Sequence, residues 1–143
     1  MKAANATGQA LLGRNFRITI DGNELGFSEV IGLGSETSVT PDGCAGDSRF
    51  MRLILRRALG ASRELFEWRE RILRGERDLR DVLVQVLDRP GGLPAHTWRL
   101  GGAWPCRWSG PVLNALEAGV ALEELEIVYA SLIWLDHYER GAR

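Results

Sequence analysis

The sequence predicts a mostly β fold of antiparallel strands with one flanking helix, and three observations carry that expectation. Apolar and polar residues alternate with a period of two in Asn15–Asp21 and in Phe50–Arg57. Turn chemistry separates such runs at Asp21-Gly22-Asn23 and at Arg89-Pro90-Gly91-Gly92. The stretch after Ser62 combines an apolar stripe at helical spacing with signals for both its start and its end. A length of 143 residues suits a single domain spanning 1–143. The chain is 45% hydrophobic, which is enough to build a core without staples, and Cys44 and Cys106 could form one bridge at most. It has no long uncharged apolar run, so no membrane anchoring is expected. Met1 to Gly13 carries Lys2 but no continuous apolar core, which argues against a secretory signal and for a cytosolic chain. Residues 1–13 are expected to form a flexible arm, and residues 136–143 a polar tail.

The elements follow in order. Phe16, Ile18 and Ile20 share one face of the first strand, with Arg17 and Thr19 on the other. A second strand is expected from Glu24 into Val30 and Ile31, interrupted by Gly26, Gly32 and Gly34. Glu36 to Thr40 reads as a short extended piece, and Pro41 to Ser48 as a polar loop. The next strand, Phe50–Arg57, places Met51, Leu53 and Leu55 on one side and Arg52, Ile54 and Arg56 on the other. The helix, over about 62–74, has Ser62 as N-cap, a stripe of Leu65, Trp68 and Ile72, and Gly75 just past its end. Val82 to Leu87 is a β-branched apolar run covered on both faces, and Ala95 to Leu100 returns as its antiparallel partner. Gly101 to Pro111 reads as a loop rich in glycine, proline and tryptophan. The local pattern from 116 to 135 stays open. Ala118, Ala121, Leu125, Val128, Leu132 and Leu135 fall at helical spacing, yet Leu125, Ile127 and Tyr129 alternate with Glu124 and Glu126 as in a strand.

Signals for catalysis, metals or cofactors are poor. His96 and His137 lack a second ligand at metal spacing, and Gly32-Leu33-Gly34 lacks the rest of a dinucleotide loop. Arg107 beside Cys106 could lower a thiol pKa, which leaves a thiol enzyme as a remote alternative. The formal charge of −1 hides a split: −3 over 1–48, +5 over 49–80, +1 over 81–111 and −4 over 112–143. Ten arginines in the basic segment, Arg56 and Arg57 among them, invite a nucleic-acid reading. The interleaved Glu64, Glu67, Glu70, Glu76 and Asp78 instead favour a solvated face or a protein interface. The basic middle could equally pair with an acidic end of a neighbouring copy.

Trp104 and Trp108, held between Pro105 and Pro111, either cap the end of the core or anchor a subunit contact. Here the sequence resembles the tail-tube proteins of contractile bacteriophages and phage-tail-like injection particles. In that family a tract of the form Ala-Trp-Pro-x-Lys/Arg-Trp-Ser/Thr-Gly-Pro precedes Leu-Asn and the C-terminal strand. Ala103, Trp104, Pro105, Arg107, Trp108, Ser109, Gly110, Pro111, Leu113 and Asn114 fit it. Three earlier blocks agree in order. They are Asn15-Phe16 with Ile20-Asp21-Gly22; Phe27-Ser28-Glu29-Val30 with Gly32-Leu33 and Glu36-Thr37; and Leu55-Arg56-Arg57 with Ser62, Leu65 and Trp68.

The resemblance implies a small antiparallel β-barrel or sandwich of the tail-tube type with one flanking helix, and it favours a strand over about Val120–Val128. It implies a non-enzymatic structural subunit with no cofactor, closing with copies of itself into hexameric rings that stack as a hollow tube. Implied partners are sheath, baseplate or hub proteins, with cargo in the lumen and no specific nucleic acid. Assembly would take place in the bacterial cytoplasm, and the destination would be a phage tail or injection particle. Trp104, Pro105, Arg107, Trp108, Arg56 and Arg57 are the candidate interface or barrel-end residues. The candidate core is Phe16, Ile18, Phe27, Leu33, Leu65, Trp68, Val84, Leu125 and Ile127. The family generally carries a longer hairpin between Glu36 and Arg49. Its shortening at 37–48 raises the alternative of a tube-initiator or terminal adaptor ring.

Overall fold

A computed structural model describes residues 10–135, so the polar tail at 136–143 and residues 1–9 of the expected arm lie outside the described residues. Strands β1 Phe16–Ile20, β2 Asn23–Leu25, β3 Glu29–Ile31, β4 Ser35–Val39, β5 Ala45–Phe50 and β6 Leu53–Ala58 come first. Helix α1 Glu64–Leu73 follows, then β7 Arg80–Leu87, β8 Pro94–Ser109, β9 Leu122–Val128 and β10 Ser131–Leu135. All recorded strand pairings are antiparallel, as the alternating sequence requires. The residues group into two compact units, one of 10–26, 80–102 and 131–135 and one of 27–79 and 103–130.

In the first unit the strand order is β2-β1-β7-β8, with β10 also paired to β8. Asp21 at φ 48° and Gly22 at φ 83° form the two-residue turn that Asp-Gly favours, and Ile20 pairs with Asn23 across it. Ile18 faces Val84 and Ile20 faces Val82 in the β1–β7 register, and all four side chains are buried. Phe16 sits at the end of this row, where the cover thins, and is only half-buried. On the other face of β7, Gln85 donates to the hydroxyl of Thr97 at 3.2 Å, and both residues are buried.

In the second unit the order is β8-β9-β6-β3, with β4–β5 as a separate two-stranded ribbon. Leu53 and Leu55 of β6, Leu125 and Ile127 of β9, and Leu65 and Trp68 of α1 are buried together as its core. The helix begins at Glu64 with Arg63 as its N-cap and no side-chain cap bond. The N-cap expected at Ser62 is thus corrected by one residue, and the Ser62 hydroxyl instead accepts from the Glu64 amide at 3.3 Å. Its end is a paired cap in which Gly75, at φ 87°, donates to the Ile72 carbonyl and Glu76 donates to that of Arg71.

Four further expectations need correction. The second strand is broken into β2 and β3, and Phe27 between them is half-buried with the Arg57 guanidinium 5.7 Å above its ring. Leu33 lies in the stretch before β4 and is half-buried. Part of the loop expected at 41–48 is strand β5, because Gly43 at φ 85° and the Thr40 hydroxyl, which accepts from the Cys44 amide at 3.0 Å, close a hairpin. Residues 101–109 of the loop expected at 101–111 are the second half of β8. The pattern left open over 116–135 is strand at 122–128 and at 131–135, in keeping with the strand that the resemblance implies for about Val120–Val128. Glu123, Leu125, Ile127 and Tyr129 are buried alternately, as a period of two requires.

Candidate subunit interface

The candidate residues belong to the second unit, where β8, β9, β6 and β3 present two faces. Arg56 pairs in register with Glu124 and Glu29, Arg57 with Glu123, and Trp108 with Leu125. Trp104 pairs with Val128 and Pro105 with Ile127, but Arg107 pairs with Glu126, so Cys106 is an extra residue in β8. This bulge changes the side on which the following residues emerge. Two residues four apart on a regular strand share a face; here Trp104 shares its face with Arg107, and Trp108 emerges on the other. Proline is tolerated at this point because the ladder is already interrupted.

The face toward α1 holds a polar cluster inside an apolar setting. Glu123 is 2% exposed, and its carboxylate accepts from Arg57 Nε at 2.8 Å and from Trp108 Nε1 at 2.9 Å. Arg57 Nη1 donates to Glu64 of α1 at 2.9 Å, while Nη2 is buried without a hydrogen-bond partner. Burial works against the Arg57 charge, yet the bonds to Glu123 and Glu64 outweigh it and hold the guanidinium above its ordinary pKa. The Trp108 ring meets Phe66 edge-on at 4.9 Å, and Arg69 donates to the Pro105 carbonyl at 3.2 Å. Arg57, Trp108 and Pro105 therefore fasten the sheet to its helix.

The opposite face is a charged ladder. Arg56 donates to Glu29 at 2.8 Å and reaches Glu124 at 3.5 Å, and Arg52 donates to Glu126 at 2.9 Å. Arg107 lies 3.7 Å from Glu126 and 4.0 Å from Glu124. The bond to Glu29 raises the pKa of Arg56, and the bond to Glu126 raises that of Arg52. Trp104 and Val128 border the ladder, both half-buried.

The carboxylates were missed as site residues at the sequence level. Glu123 could have been found there, since a glutamate in phase with Leu125 and Ile127 must meet a cation on the paired strand. Cys106 sits at the bulge, half-buried, and its thiol is pushed up by burial and by Glu126, the reverse of an activated nucleophile. His96 lies in the first unit, its ring 5.2 Å from that of Trp134. Among the described residues no group of three or more His, Cys, Asp or Glu is arranged to hold a metal.

Comparison with solved structures shows similar folds. A chain of the extracellular contractile injection system PVC, in its extended sheath-tube complex, aligns with a TM-score of 0.81 at 19% identity, covering 94% of this chain and 97% of that one. A chain of the anti-feeding prophage baseplate gives 0.74 at 22% identity, covering 89% and 96%. Hcp1 from Flavobacterium johnsoniae gives 0.67 at 15%, covering 84% and 94%. Comparison with curated proteins gives no match. The sequence matches the family model described as T4-like virus tail tube protein gp19 over residues 13–133, and the chain belongs to that family.

Proposed function

We propose that the chain is a structural subunit of the inner tube of a contractile tail or injection system. Copies close into hexameric rings, the rings stack into a hollow conduit for cargo, and the conduit runs inside a sheath on a baseplate or hub. Assembly takes place in the bacterial cytoplasm. The observation that carries this reading is the family match over residues 13–133. The geometry agrees with a load-bearing part. A sheet cross-linked to its helix through Arg57, Glu123 and Trp108 resists shear, and the arginines of the outer ladder are neutralised by glutamates and do not form a bare cationic face. Trp104, Arg107 and Arg56, on the outer face, are the candidate contacts to other chains. Arg57, Trp108 and Pro105 position the sheet behind them.

The β4–β5 ribbon bears on the alternative of a specialised initiator or adaptor ring. Every residue of both strands is exposed, and an isolated two-stranded ribbon of this kind needs a neighbour. The fold is nearly as similar to a chain of the PVC sheath/tube terminator, covered to 97%, as to one of the sheath-tube complex, so coverage does not separate the two roles. The shortened loop at 37–48 keeps the initiator or adaptor ring as the second reading. Electron microscopy of the purified protein, with sedimentation velocity over a range of concentrations, tests the proposal. Long tubes support it, isolated rings favour the initiator or adaptor, and strict monomers at high concentration would sink both.

A further inference from the structure

We infer that residues 110–121 of one copy dock on residues 73–79, at the end of α1, in the next copy. The inference rests on the proposed ring and names the surface that closes it. Between β8 and β9 the chain leaves the sheet as a segment in which Val112 is 92% exposed, Leu113 80%, Leu116 95% and Val120 73%. So many apolar side chains in one short segment are not left in water without a partner. The segment is also shaped in advance. The Asn114 side chain accepts from the Leu116 amide at 3.0 Å, and its carbonyl accepts from the Glu117 amide at 3.2 Å. Its side-chain amide donates to Glu117 at 3.2 Å, completing a fixed turn that presents Leu116 outward. Pre-ordering of this kind lowers the entropic cost of docking.

A ring of identical subunits needs two different, complementary patches on each copy. The end of α1 offers the second. Leu73 is 68% exposed and Leu79 39%. Around them Arg74 pairs with Glu76 at 3.2 Å and Arg71 with Asp78 at 3.7 Å, which leaves exposed Arg77 with no carboxylate among the described residues. The loop has the inverse surplus: Glu117 is its single charge and meets no cation among the described residues. An apolar set with a spare anion thus matches an apolar pair with a spare cation. The loop springs from the end of the sheet where Ala58 pairs with Leu122, shortly before α1 begins. The ten-residue helix runs about 15 Å from its start to this second patch, and head-to-tail closure uses two different patches of one copy.

The test is a charge-reversal cycle on the full chain, read as the concentration at which rings form by sedimentation velocity. Glu117→Arg and Arg77→Glu should each raise that midpoint about tenfold, and together restore it to within about threefold. Both residues are exposed, so subunit melting should shift by no more than about 2 °C, although Glu117→Arg also removes the bond from the Asn114 amide. As a second readout, Leu116→Cys with Leu73→Cys, in a Cys44→Ser and Cys106→Ser background, should give oxidised ladders of linked copies. Single variants that assemble like the parent, or a double that fails to recover, would overturn the docking while leaving the tube intact. Variants that form normal rings but lose a sheath protein would also overturn it, by assigning the loop to that partner. A parent protein that never assembles would instead sink the tube reading beneath it.

Discussion

Replacing Glu123 by alanine removes one carboxylate that holds two donors in a place where water reaches only 2% of the residue. Arg57, whose side chain is 11% exposed, would keep a buried charge with Nε unpaired as well as the already orphaned Nη2. Trp108 Nε1 would lose its acceptor too. Breaking a buried ion pair from one side costs about 3–5 kcal/mol. For 143 residues the unfolding entropy converts this to a loss of about 10–15 °C in Tm. The companion variant is Arg57→Met with Glu123→Leu, which removes both charges and fills the space. It should recover more than half of the loss, the remainder being the Trp108 N–H left unpaired at about 1–3 kcal/mol and the bond from Arg57 to Glu64, which is lost as well. Calorimetry on the dissociated subunit measures both. A Glu123→Ala loss of less than about 1 kcal/mol would place the pair among solvent-screened surface bridges. A double variant no better than the single would show that the penalty lies in packing and not in the stranded charge. Either result refutes the account of this cluster.

Three further outcomes follow from local geometry. Gly32→Ala should cost about 2–4 kcal/mol by thermal melting, since at φ 95° the new Cβ runs into the Arg52 carbonyl; Gly75→Ala, at φ 87° with open space around it, should cost only about 1–2. Tyr129 stacks on Phe50 at 5.4 Å, its hydroxyl donates to the Gly34 carbonyl at 3.4 Å, and burial raises its pKa. Its neutral form is therefore favoured by folding, and this stability holds below the ordinary value near 10.0 and fades as pH rises through the higher folded value. With Tyr138→Phe, an absorbance titration should show Tyr129 ionising above that value, and a midpoint at or below it would contradict the burial. A thiol reagent near pH 8 should label exposed Cys44 fast and Cys106 slowly, because burial keeps the latter protonated; two equally fast phases would contradict this.

Much of the fold is written in local chemistry. The β1–β2 turn follows from Asp21-Gly22, and the end of α1 from Gly75, since each depends on a few adjacent residues. What sequence reading loses depends on partners. Gly101, Gly102 and Pro105 look like breakers. Yet β8 runs through them, with Gly102 supplying a positive φ of 63° and Pro105 sitting where the ladder is already interrupted. The bulge at Cys106 is visible only against the register of β9, which is why Trp104 and Trp108 read as a pair though they face opposite ways. In β9 helical spacing competes with alternation over so short a run that only the pairing with β6 and β8 decides. The candidate site was legible in its cations and aromatics. Its carboxylates were not, because their meaning comes from the strand opposite.

The same pairing changes what the uneven charge along the chain is for. Complementarity between copies was one expectation, but in the β6–β9 register the basic segment meets the acidic one within a single chain: Arg56 faces Glu124 and Arg57 faces Glu123. The hydrophobic pattern alone cannot set this register. A slip of one residue would turn the leucines outward, but a slip of two keeps every apolar residue on its proper face. Charge excludes the second slip. Shifted one way, buried Glu123 would lie opposite Leu55 and Arg57 opposite Ala121; shifted the other way, Arg57 would meet Leu125 and Glu123 would meet Leu59. Either leaves two stranded charges in an apolar setting, each costing several kcal/mol. The arginine-rich middle is thus first a register device for β6 on β9. Only the charges left over after that pairing, Arg77 and Glu117 among them, remain available for recognition between copies.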